Sequence, residues 1–314
     1  MKASAIKELH VKARTRPSHL FSQWPLLARQ LRNAPHVALF LDFDGTLTPL
    51  RHRPGEVCLD EPTRAVLRWL ARQRHVTVWV ISGRRLADVR ARVNLPAIGC
   101  VGLHGWERQD DTRSSSPSVS SIRRGRRLLA EGVKPLPKIW LEDKGPVSVV
   151  HYRGAPVGVV RRASAVVHQV VRLLEPALRV LPGKDVWEVL PREFEGKGAA
   201  VNALLSELPV GTLPIYVGDD ITDESAFAAL PSGVTIRVGR GRLNEMIAAD
   251  DGTGDGVKVR FTMARFTVRN PREVRKFLER VAEEIKNRGG QTKKLEHPKP
   301  AHKAARTNQP GKPH

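Results

Sequence analysis

The sequence predicts an α/β protein in which a doubly wound, mostly parallel sheet forms a core that carries an inserted, smaller α+β unit. Apolar runs of strand length, at Val37–Leu41, Val76–Ile81 and 213–217, each end directly at polar residues. Such runs are typical of strands buried on both faces of a parallel sheet. Helical periodicity separates them, whereas residues 108–190 contain the alternation of half-buried antiparallel strands.

The first part of the chain, residues 1–34, is predicted to be an extension with one helix. Apolar side chains recur at near-helical spacing over 20–31, where Pro25 fits the first turn. Beyond the first strand, residues 60–74 predict a helix with Asp60 as its N-cap. The strand–helix–strand order and these lengths favour right-handed crossovers.

The inserted region begins after a short, glycine-flanked strand end predicted at 101–105. Residues 110–121 are polar and serine-rich, which indicates a loop or a hairpin tip. Two alternating stretches predict strands, and a long helical pattern lies between them. These three predicted elements are the strands 147–152 and 186–190 and the helix 157–178.

The doubly wound pattern then resumes with a helix over 198–208 and the strand at 213–217. A last helix is predicted at 271–285, where Asn270 can cap it and Pro271 suits the first helical position. The predicted divisions are the extension 1–34, the core 35–107 and 191–286, the cap domain 108–190 and a basic tail, 287–314.

Composition limits the possible functions. The formal net charge is +21, and the segment from Lys286 to His314 alone carries +7. That segment has almost no large apolar residue and is predicted to be disordered. Because no aromatic residues interleave with its charges, a specific nucleic-acid partner is disfavoured. A basic nucleic-acid-binding protein stays open as the non-enzyme alternative.

Compartment and membrane contact follow from simple counts. The two cysteines, Cys58 and Cys100, exclude a disulfide scaffold and a four-cysteine zinc site. No apolar run approaches the roughly 20 residues that span a bilayer, so no membrane association is expected. The first 16 residues are basic but lack the features of a secretory signal. The cytoplasm is therefore the expected compartment, and the sequence leaves the oligomeric state open.

Polar residues follow the predicted strands where each strand ends. Asp42 and Asp44 follow the first, Ser82 the second, and Asp219 with Asp220 the last. The carboxyl ends of strands in doubly wound sheets line the ligand crevice. Clustered carboxylates need a cation, and hard oxygen ligands favour Mg²⁺. An Asp-Gly hairpin turn at residues 44–45 is the alternative, but the segment 48–54 lacks strand alternation.

Four short motifs, in order, resemble those of the haloacid dehalogenase-like phosphotransferases. The motifs are Asp42-Phe-Asp-Gly-Thr46, Ile81-Ser-Gly-Arg84, Gly196-Lys-Gly198 and Gly218-Asp-Asp-Ile-Thr-Asp-Glu224. The resemblance implies that Asp42 is the nucleophile and forms an aspartyl-phosphate, with Asp44 as the general acid and base. Ser82 and Lys197 would hold phosphoryl oxygens. Mg²⁺ would be bound by Asp42, the Asp44 carbonyl, Asp219 and, directly or through water, Asp220.

Segments of the insert resemble the trehalose-6-phosphate phosphatases. They are Gly102-Leu-His-Gly-Trp-Glu107, Leu141-Glu-Asp-Lys-Gly145, His151-Tyr-Arg153 and Gly183-Lys-Asp-Val-Trp-Glu188. The resemblance implies a disaccharide phosphate as substrate and a mobile α/β cap. The residues that would contact the sugar are Glu142, Lys144, Lys184, Glu188, His151 and Arg153. In one departure from the family pattern, Leu190 stands where an arginine is expected before the proline.

Two other enzymes could use the same core. One is a phosphatase for another sugar phosphate, such as sucrose 6-phosphate. The other is a phosphosugar mutase, which uses the same nucleophile and acid–base pair but must protect its aspartyl-phosphate from water. The resemblance to the trehalose-6-phosphate phosphatases implies hydrolysis of trehalose 6-phosphate to trehalose and phosphate instead of either.

Overall fold

A computed structural model of the chain describes residues 17–50, 57–108, 118–183, 185–239 and 262–295. Its elements, in chain order, are β1 Ser18–His19, α1 Trp24–Asn33, β2 Val37–Leu41, α2 Glu61–Leu70, β3 Val76–Ile81, α3 Leu86–Val93, β4 Gly99–Val101, α4 Ser118–Val133, β5 Trp140–Asp143, β6 Ser148–His151, α5 Val157–Leu173, β7 Leu178–Gly183, β8 Val186–Pro191, α6 Lys197–Ser206, β9 Leu213–Gly218, α7 Glu224–Ala229, β10 Val234–Val238, β11 Phe266–Val268 and α8 Pro271–Leu295.

The described residues form two sheets, and the predicted fold class is confirmed. Seven parallel strands have the order β1-β11-β10-β9-β2-β3-β4. All five residues of the central strand β2 are inaccessible to solvent, as its continuous apolar run predicts. Helices α1, α2 and α8 contribute to the core on one face of this sheet, and α6 and α7 contribute to the core on the other.

Most predicted elements of the core are present with their predicted caps. Pro25 lies in the first turn of α1, and Asp60 Oδ1 accepts a hydrogen bond from Thr63 N at the start of α2. The third strand end differs from its prediction. Strand β4 ends at Val101, and residues 103–105 form a 3₁₀ turn in which Leu103 and His104 have φ of 45° and 53°. This left-handed turn starts the link to the inserted unit.

The inserted unit, residues 118–191, is called the cap below. Its four antiparallel strands have the order β5-β6-β8-β7, and α4 and α5 pack on one face of them. The predicted helix 157–178 was too long, because Pro176 cannot continue a helix and β7 begins at Leu178. Helix α4 includes the end of the stretch predicted as a loop at 110–121, whereas 109–117 lie outside the described residues. The predicted domain boundaries stay a prediction.

The second face of the cap sheet is directed toward the core unit. A small apolar cluster lies on this face. Val147, Val149 and Leu190 of the cap pack there with Leu103 and Phe194, which lie on the two links between the units. Leu190, which replaces the expected arginine, is completely buried. Its side chain therefore stabilises the contact between cap and links.

Helix α8 is longer than its prediction. Asn270 Oδ1 accepts a hydrogen bond from Glu273 N at its start, as predicted, but the helix continues past residue 285 to Leu295. Proline first interrupts the sequence at Pro298, and the preceding Lys, Arg and Gln residues tolerate helix well. Residues 287–295 of the predicted disordered tail are thus helical, and 296–314 lie outside the described residues. Among the described helices, none has the length and apolar character needed to cross a bilayer.

Candidate active site

The carboxyl ends of three neighbouring strands bring the predicted chemical residues to one edge of the large sheet. Asp42 follows β2, and its N–H donates to Val217 O of β9 over 2.9 Å. Ser82 follows β3, and its N–H donates to Val101 O of β4 over 3.0 Å. Asp219 follows β9. This edge is where open α/β sheets bind their ligands.

Lys197 starts helix α6 and reaches the same edge with a side chain that is only 2% exposed. Its Nζ donates to Asp42 Oδ1 and to Asp223 Oδ1, each over 2.7 Å. Burial alone would lower the pKa of Lys197, but the charges of Asp223 and Asp42 outweigh burial and hold this pKa well above its ordinary value. Lys197 is therefore a fixed cation beside the predicted nucleophile.

Asp223 is an organising residue of the site that the sequence analysis did not identify. It is completely buried, and its Oδ1 also accepts a hydrogen bond from the Tyr216 hydroxyl over 2.7 Å. Its Oδ2 accepts from the N–H of Asp220 over 2.9 Å. One carboxylate thus joins Lys197 to the turn after β9. The spacing of Asp220 and Asp223 is that of a capping box, which could have revealed the turn but not the contact with Lys197.

Negative charge accumulates around Asp42. Carboxylate oxygens of Asp42, Asp219 and Asp223 lie within 4.8 Å of one another. Burial, together with repulsion from the neighbouring carboxylates, raises the pKa of Asp42 to about 7 and that of Asp219 to about 9, although Lys197 opposes both shifts. Gly45 permits the crowding, because a Cβ at this position would lie 2.1 Å from Asp219 Oδ2.

The donor set fits a hard divalent cation. With all three carboxylates ionised, the single ammonium of Lys197 would leave two negative charges without a counter-charge in the cluster, and the raised pKa values of Asp42 and Asp219 reflect this excess. Carboxylate oxygens are the ligands that Mg²⁺ favours. Asp42 and Asp219 belong to this cluster, as predicted. Asp220 was predicted as a ligand directly or through water; its Oδ1 accepts a hydrogen bond from Ile221 N over 2.7 Å and caps the turn, and its role toward the ion stays a prediction.

Asp44, the predicted acid and base, is held by an arginine that the sequence analysis did not single out. Arg84 donates from Nε and Nη2 to the two carboxylate oxygens of Asp44, over 2.6 and 2.7 Å. Its Nη1 donates to Asp88 over 2.8 Å. The Arg84 N–H also donates to Ser82 Oγ over 3.1 Å, so the loop after β3 joins the predicted phosphate-binding serine to the acid–base residue.

Three predicted sugar-contact residues lie together on the cap. Glu142 Oε2 and His151 Nε2 share a hydrogen bond of 2.9 Å, and this bond is the main cause that lowers the pKa of Glu142. Lys144 Nζ lies 4.0 Å from the same Glu142 oxygen and donates to the backbone carbonyl of Gly83 over 3.5 Å. Gly83 immediately follows Ser82, so Lys144 brings this part of the cap to the sheet edge that carries Asp42, Ser82 and Asp219. This edge is called the phosphoryl edge below.

Glu188 makes a second contact between cap and core. Its Oε2 lies 3.2 Å from His104 Nε2, and both side chains are about nine-tenths buried. Burial would raise the pKa of Glu188, but His104, with Lys144 and Lys197 farther away, lowers it to about 2. His104 is the core partner of Glu188, and the sequence quoted it only as part of a segment.

Of the two remaining predicted sugar contacts, Arg153 follows β6 and contacts Asp185, the residue before β8. Arg153 Nε donates to Asp185 Oδ2 over 3.0 Å, with both side chains largely in solvent. Lys184 lies outside the described residues. The structure thus brings Glu142, His151, Lys144 and Glu188 to one face of the cap, and leaves Arg153 at an exposed end.

Comparisons with known proteins agree with this arrangement. The trehalose-phosphatase family model matches residues 40–252. Trehalose-phosphate phosphatases of Mycobacterium ulcerans and Mycobacterium tuberculosis strain H37Ra are each 33% identical to the chain, over 81% and 79% of its length. The chain covers 64% and 62% of these two relatives. The C-terminal domain of the Candida albicans trehalose-6-phosphate phosphatase has the same fold, with a TM-score of 0.66 at 22% identity over 86% of this chain and 99% of that one.

Proposed function

The chain belongs to the trehalose-phosphatase family, and we propose that it hydrolyses trehalose 6-phosphate to trehalose and phosphate with Mg²⁺ and an aspartyl-phosphate intermediate. The contact of Asp42 with buried Lys197 inside the carboxylate cluster carries the chemical part of this proposal. The polar face of the cap carries the sugar part.

Asp42 attacks phosphorus in line with the bond to the sugar oxygen. A new bond joins Asp42 Oδ to phosphorus, and the sugar leaves as trehalose after it gains a proton. Water then attacks phosphorus, which releases inorganic phosphate and regenerates the carboxylate. Lys197, fixed by Asp223, balances charge on the phosphoryl oxygens during both steps.

Asp42, Asp219 and the Asp44 carbonyl are the proposed holders of Mg²⁺. The ion would supply positive charge, which would keep buried Asp42 ionised and reduce its repulsion from the phosphate dianion. Asp223 has its carboxylate committed to Lys197, Tyr216 and the Asp220 amide, so we assign it to positioning rather than to the ion.

Asp44 carries the proton between the two steps: it protonates the sugar oxygen and then deprotonates the attacking water. Its paired contact with Arg84 holds both of its carboxylate oxygens in place beside the reacting groups. The Arg84 contact must open for Asp44 to donate its proton in the first step. Ser82 supports a phosphoryl oxygen from the adjacent loop.

The cap supplies recognition and excludes water from the reacting groups. Glu142, Lys144 and Glu188 are the proposed readers of sugar hydroxyls, because charged oxygen and nitrogen atoms suit vicinal hydroxyl groups. His151, Arg153 and Lys184 are the further candidates, and Arg153, whose side chain is exposed, is expected to contribute least. The residues of the cap would thus select the sugar, and those of the core would perform the transfer.

The cytoplasm is the proposed compartment. Both cysteines are free thiols, with Cys58 exposed and Cys100 buried. Burial raises the pKa of the Cys100 thiol to about 11, so it packs as a small apolar side chain. The proposed partner is the small disaccharide phosphate alone, without membrane or specific nucleic acid.

A phosphate-release assay tests the proposal. We expect turnover of trehalose 6-phosphate with Mg²⁺, little turnover of sucrose 6-phosphate, and loss of activity in EDTA that added Mg²⁺ restores. Comparable turnover of sucrose 6-phosphate would show that the enzyme is not specific for trehalose 6-phosphate and acts on another sugar phosphate. Transfer of phosphate between sugar positions without release would identify a mutase. The Asp42→Asn and Asp44→Asn variants, checked for folding by circular dichroism, should lie at least about 10³-fold below the wild type.

A further inference from the structure

Trp140 is a large apolar side chain that is held in place yet left in solvent. It is 54% exposed, although a Trp side chain gains by burial. Its ring lies flat on the ring of His151, with centroids 3.5 Å apart and planes 3° from parallel. The His151 ring is itself fixed by the bond of its Nε2 to Glu142. The indole is therefore supported on one face and accessible on its remaining surface.

The register of the cap sheet determines which face carries Trp140. Trp140 pairs with His151, and Glu142 pairs with Val149, which in turn pairs with Glu188. Since side chains alternate along a strand, these residues share one face of the sheet. The opposite face, with Val150 and Trp187, packs on α4 and α5. Trp140 therefore lies on the face that carries the proposed sugar readers.

The distance along the strand indicates which part of a substrate Trp140 would meet. Lys144, four residues later, contacts the core at Gly83 beside the phosphate-binding loop. Four residues of extended chain span about 13 Å, and Trp140 lies about 7 Å beyond Glu142 on the side away from the core. The ring that carries the phosphate must lie near Asp42. Trp140 therefore lies where the second sugar ring of a bound disaccharide phosphate would be.

The chemistry of the pair suits such a ring. A pyranose has C–H groups on its faces and hydroxyls around its rim. An exposed indole offers an apolar, electron-rich face for the C–H groups, and Glu142 beside it accepts hydrogen bonds from the rim. We propose that Trp140, supported by His151, stacks against the sugar ring distal to the phosphate and selects disaccharide over monosaccharide phosphates. This inference rests on the proposed function.

Kinetics on two substrates test the inference. For Trp140→Ala we expect KM for trehalose 6-phosphate to rise about tenfold, as for loss of one stacking contact, with kcat within about twofold. Turnover of glucose 6-phosphate, which lacks the distal ring, should stay unchanged. Trp140→Phe should recover most of the affinity. The matched control is Leu173→Ala, because Leu173 is 62% exposed on the helical side of the cap and should alter neither substrate.

Fluorescence provides a readout that does not depend on turnover. The chain has six tryptophans, so the emission change on adding trehalose is compared between the wild type and Trp140→Phe. The inference predicts a change that the variant loses. An equal loss of both substrates in Trp140→Ala, or an identical fluorescence response in the two proteins, would contradict the distal contact. Failure of the wild type to hydrolyse trehalose 6-phosphate would instead overturn the proposed function.

Discussion

The phosphoryl edge of the core differs from the cap face that carries Trp140, Glu142, Lys144 and Glu188, here called the sugar-reading face. The difference is in how completely the side chains are fixed. Asp42 is 5% exposed, and Lys197 and Asp223 are buried and hydrogen-bonded to each other and to their neighbours in the site. On the cap, Trp140 is mostly exposed, and Glu142 has one short side-chain hydrogen bond to another described residue, His151. Electrostatic catalysis needs donors and charges that do not reorganise during reaction. Recognition by the cap tolerates looser side chains, because substrate can complete their contacts.

The largest expected effect is on kcat, at Asp223. It distinguishes a residue that positions Lys197 from a residue that binds the metal ion. Asp223→Asn removes the charge that fixes Lys197, and kcat should fall about 100-fold, the usual cost of losing one electrostatic contact at a reacting centre. The Mg²⁺ concentration for half-maximal activity should change little. Asp219→Asn is the matched variant, and in it that concentration should rise. Steady-state assays over a Mg²⁺ series measure both, and a raised Mg²⁺ requirement in Asp223→Asn would make Asp223 a ligand.

The same two regions differ in how far the sequence predicts them. Asp42, Lys197 and Asp219 follow from motifs at strand and helix ends, since parallel strands meet at one edge. The partner of Lys197 does not follow, because Asp223 reaches it only through the geometry of the turn after β9. Arg84 was likewise visible in its motif, but its bond to Asp44 joins residues 40 positions apart.

On the cap, the sequence predicts some of the strands but not which strands pair or in which register. Alternation predicts β6 and β8, but β5 ends in the charged residues Glu142 and Asp143 and β7 contains Pro182, so neither shows the pattern of a half-buried strand. Without the register, nothing in the sequence sets Trp140 beside His151 or Glu188 beside a residue of the core. Long-range pairing, and not local propensity, builds the sugar-reading face.

The next effect concerns pH and Mg²⁺ at the phosphoryl edge. The folded pKa values of Asp42 and Asp219 are raised to about 7 and about 9, above those of the unfolded chain. The stability that these groups give the metal-free protein is thus complete below about pH 4 and is lost as pH rises through these folded values. Mg²⁺ needs the ionised forms, so it should raise the melting temperature more at pH 8 than at pH 5.5.

Thermal melts with Mg²⁺ or EDTA at the two pH values test this. In Asp219→Asn one titrating group is gone, and the difference between the two pH values should shrink. A stabilisation by Mg²⁺ that is equal at pH 5.5 and pH 8 in the wild type would show that protons and the ion do not compete for these carboxylates. On the cap, where Glu142 and Glu188 have lowered pKa values, no such competition is expected.

A smaller effect is expected where the two regions meet. His104→Gln leaves the buried Glu188 carboxylate without the imidazole that lies 3.2 Å from it, which should cost about 1–3 kcal/mol of unfolding free energy. KM for trehalose 6-phosphate should rise about tenfold with a smaller change in kcat, because a contact worth about 1.4 kcal/mol changes affinity by that factor. The double variant with Glu188→Gln should recover stability but not KM. Loss of stability in the double variant beyond the sum of the single variants would contradict a charge pair.

The smallest effect is expected at Arg153, which tests whether every polar residue of the cap takes part in recognition. Its pair with Asp185 has side chains that are 58% and 41% exposed, so Arg153→Ala should change the unfolding free energy by less than about 0.5 kcal/mol. KM should stay within about twofold of the wild type, in contrast to Trp140→Ala and His104→Gln. A rise in KM similar to theirs would place the β7–β8 hairpin on the substrate and extend the sugar-reading face to that end of the cap. His151 supports Trp140 and His104 supports Glu188. A rise in KM for Arg153→Ala would show that a residue can contact the sugar without such support from a neighbouring side chain.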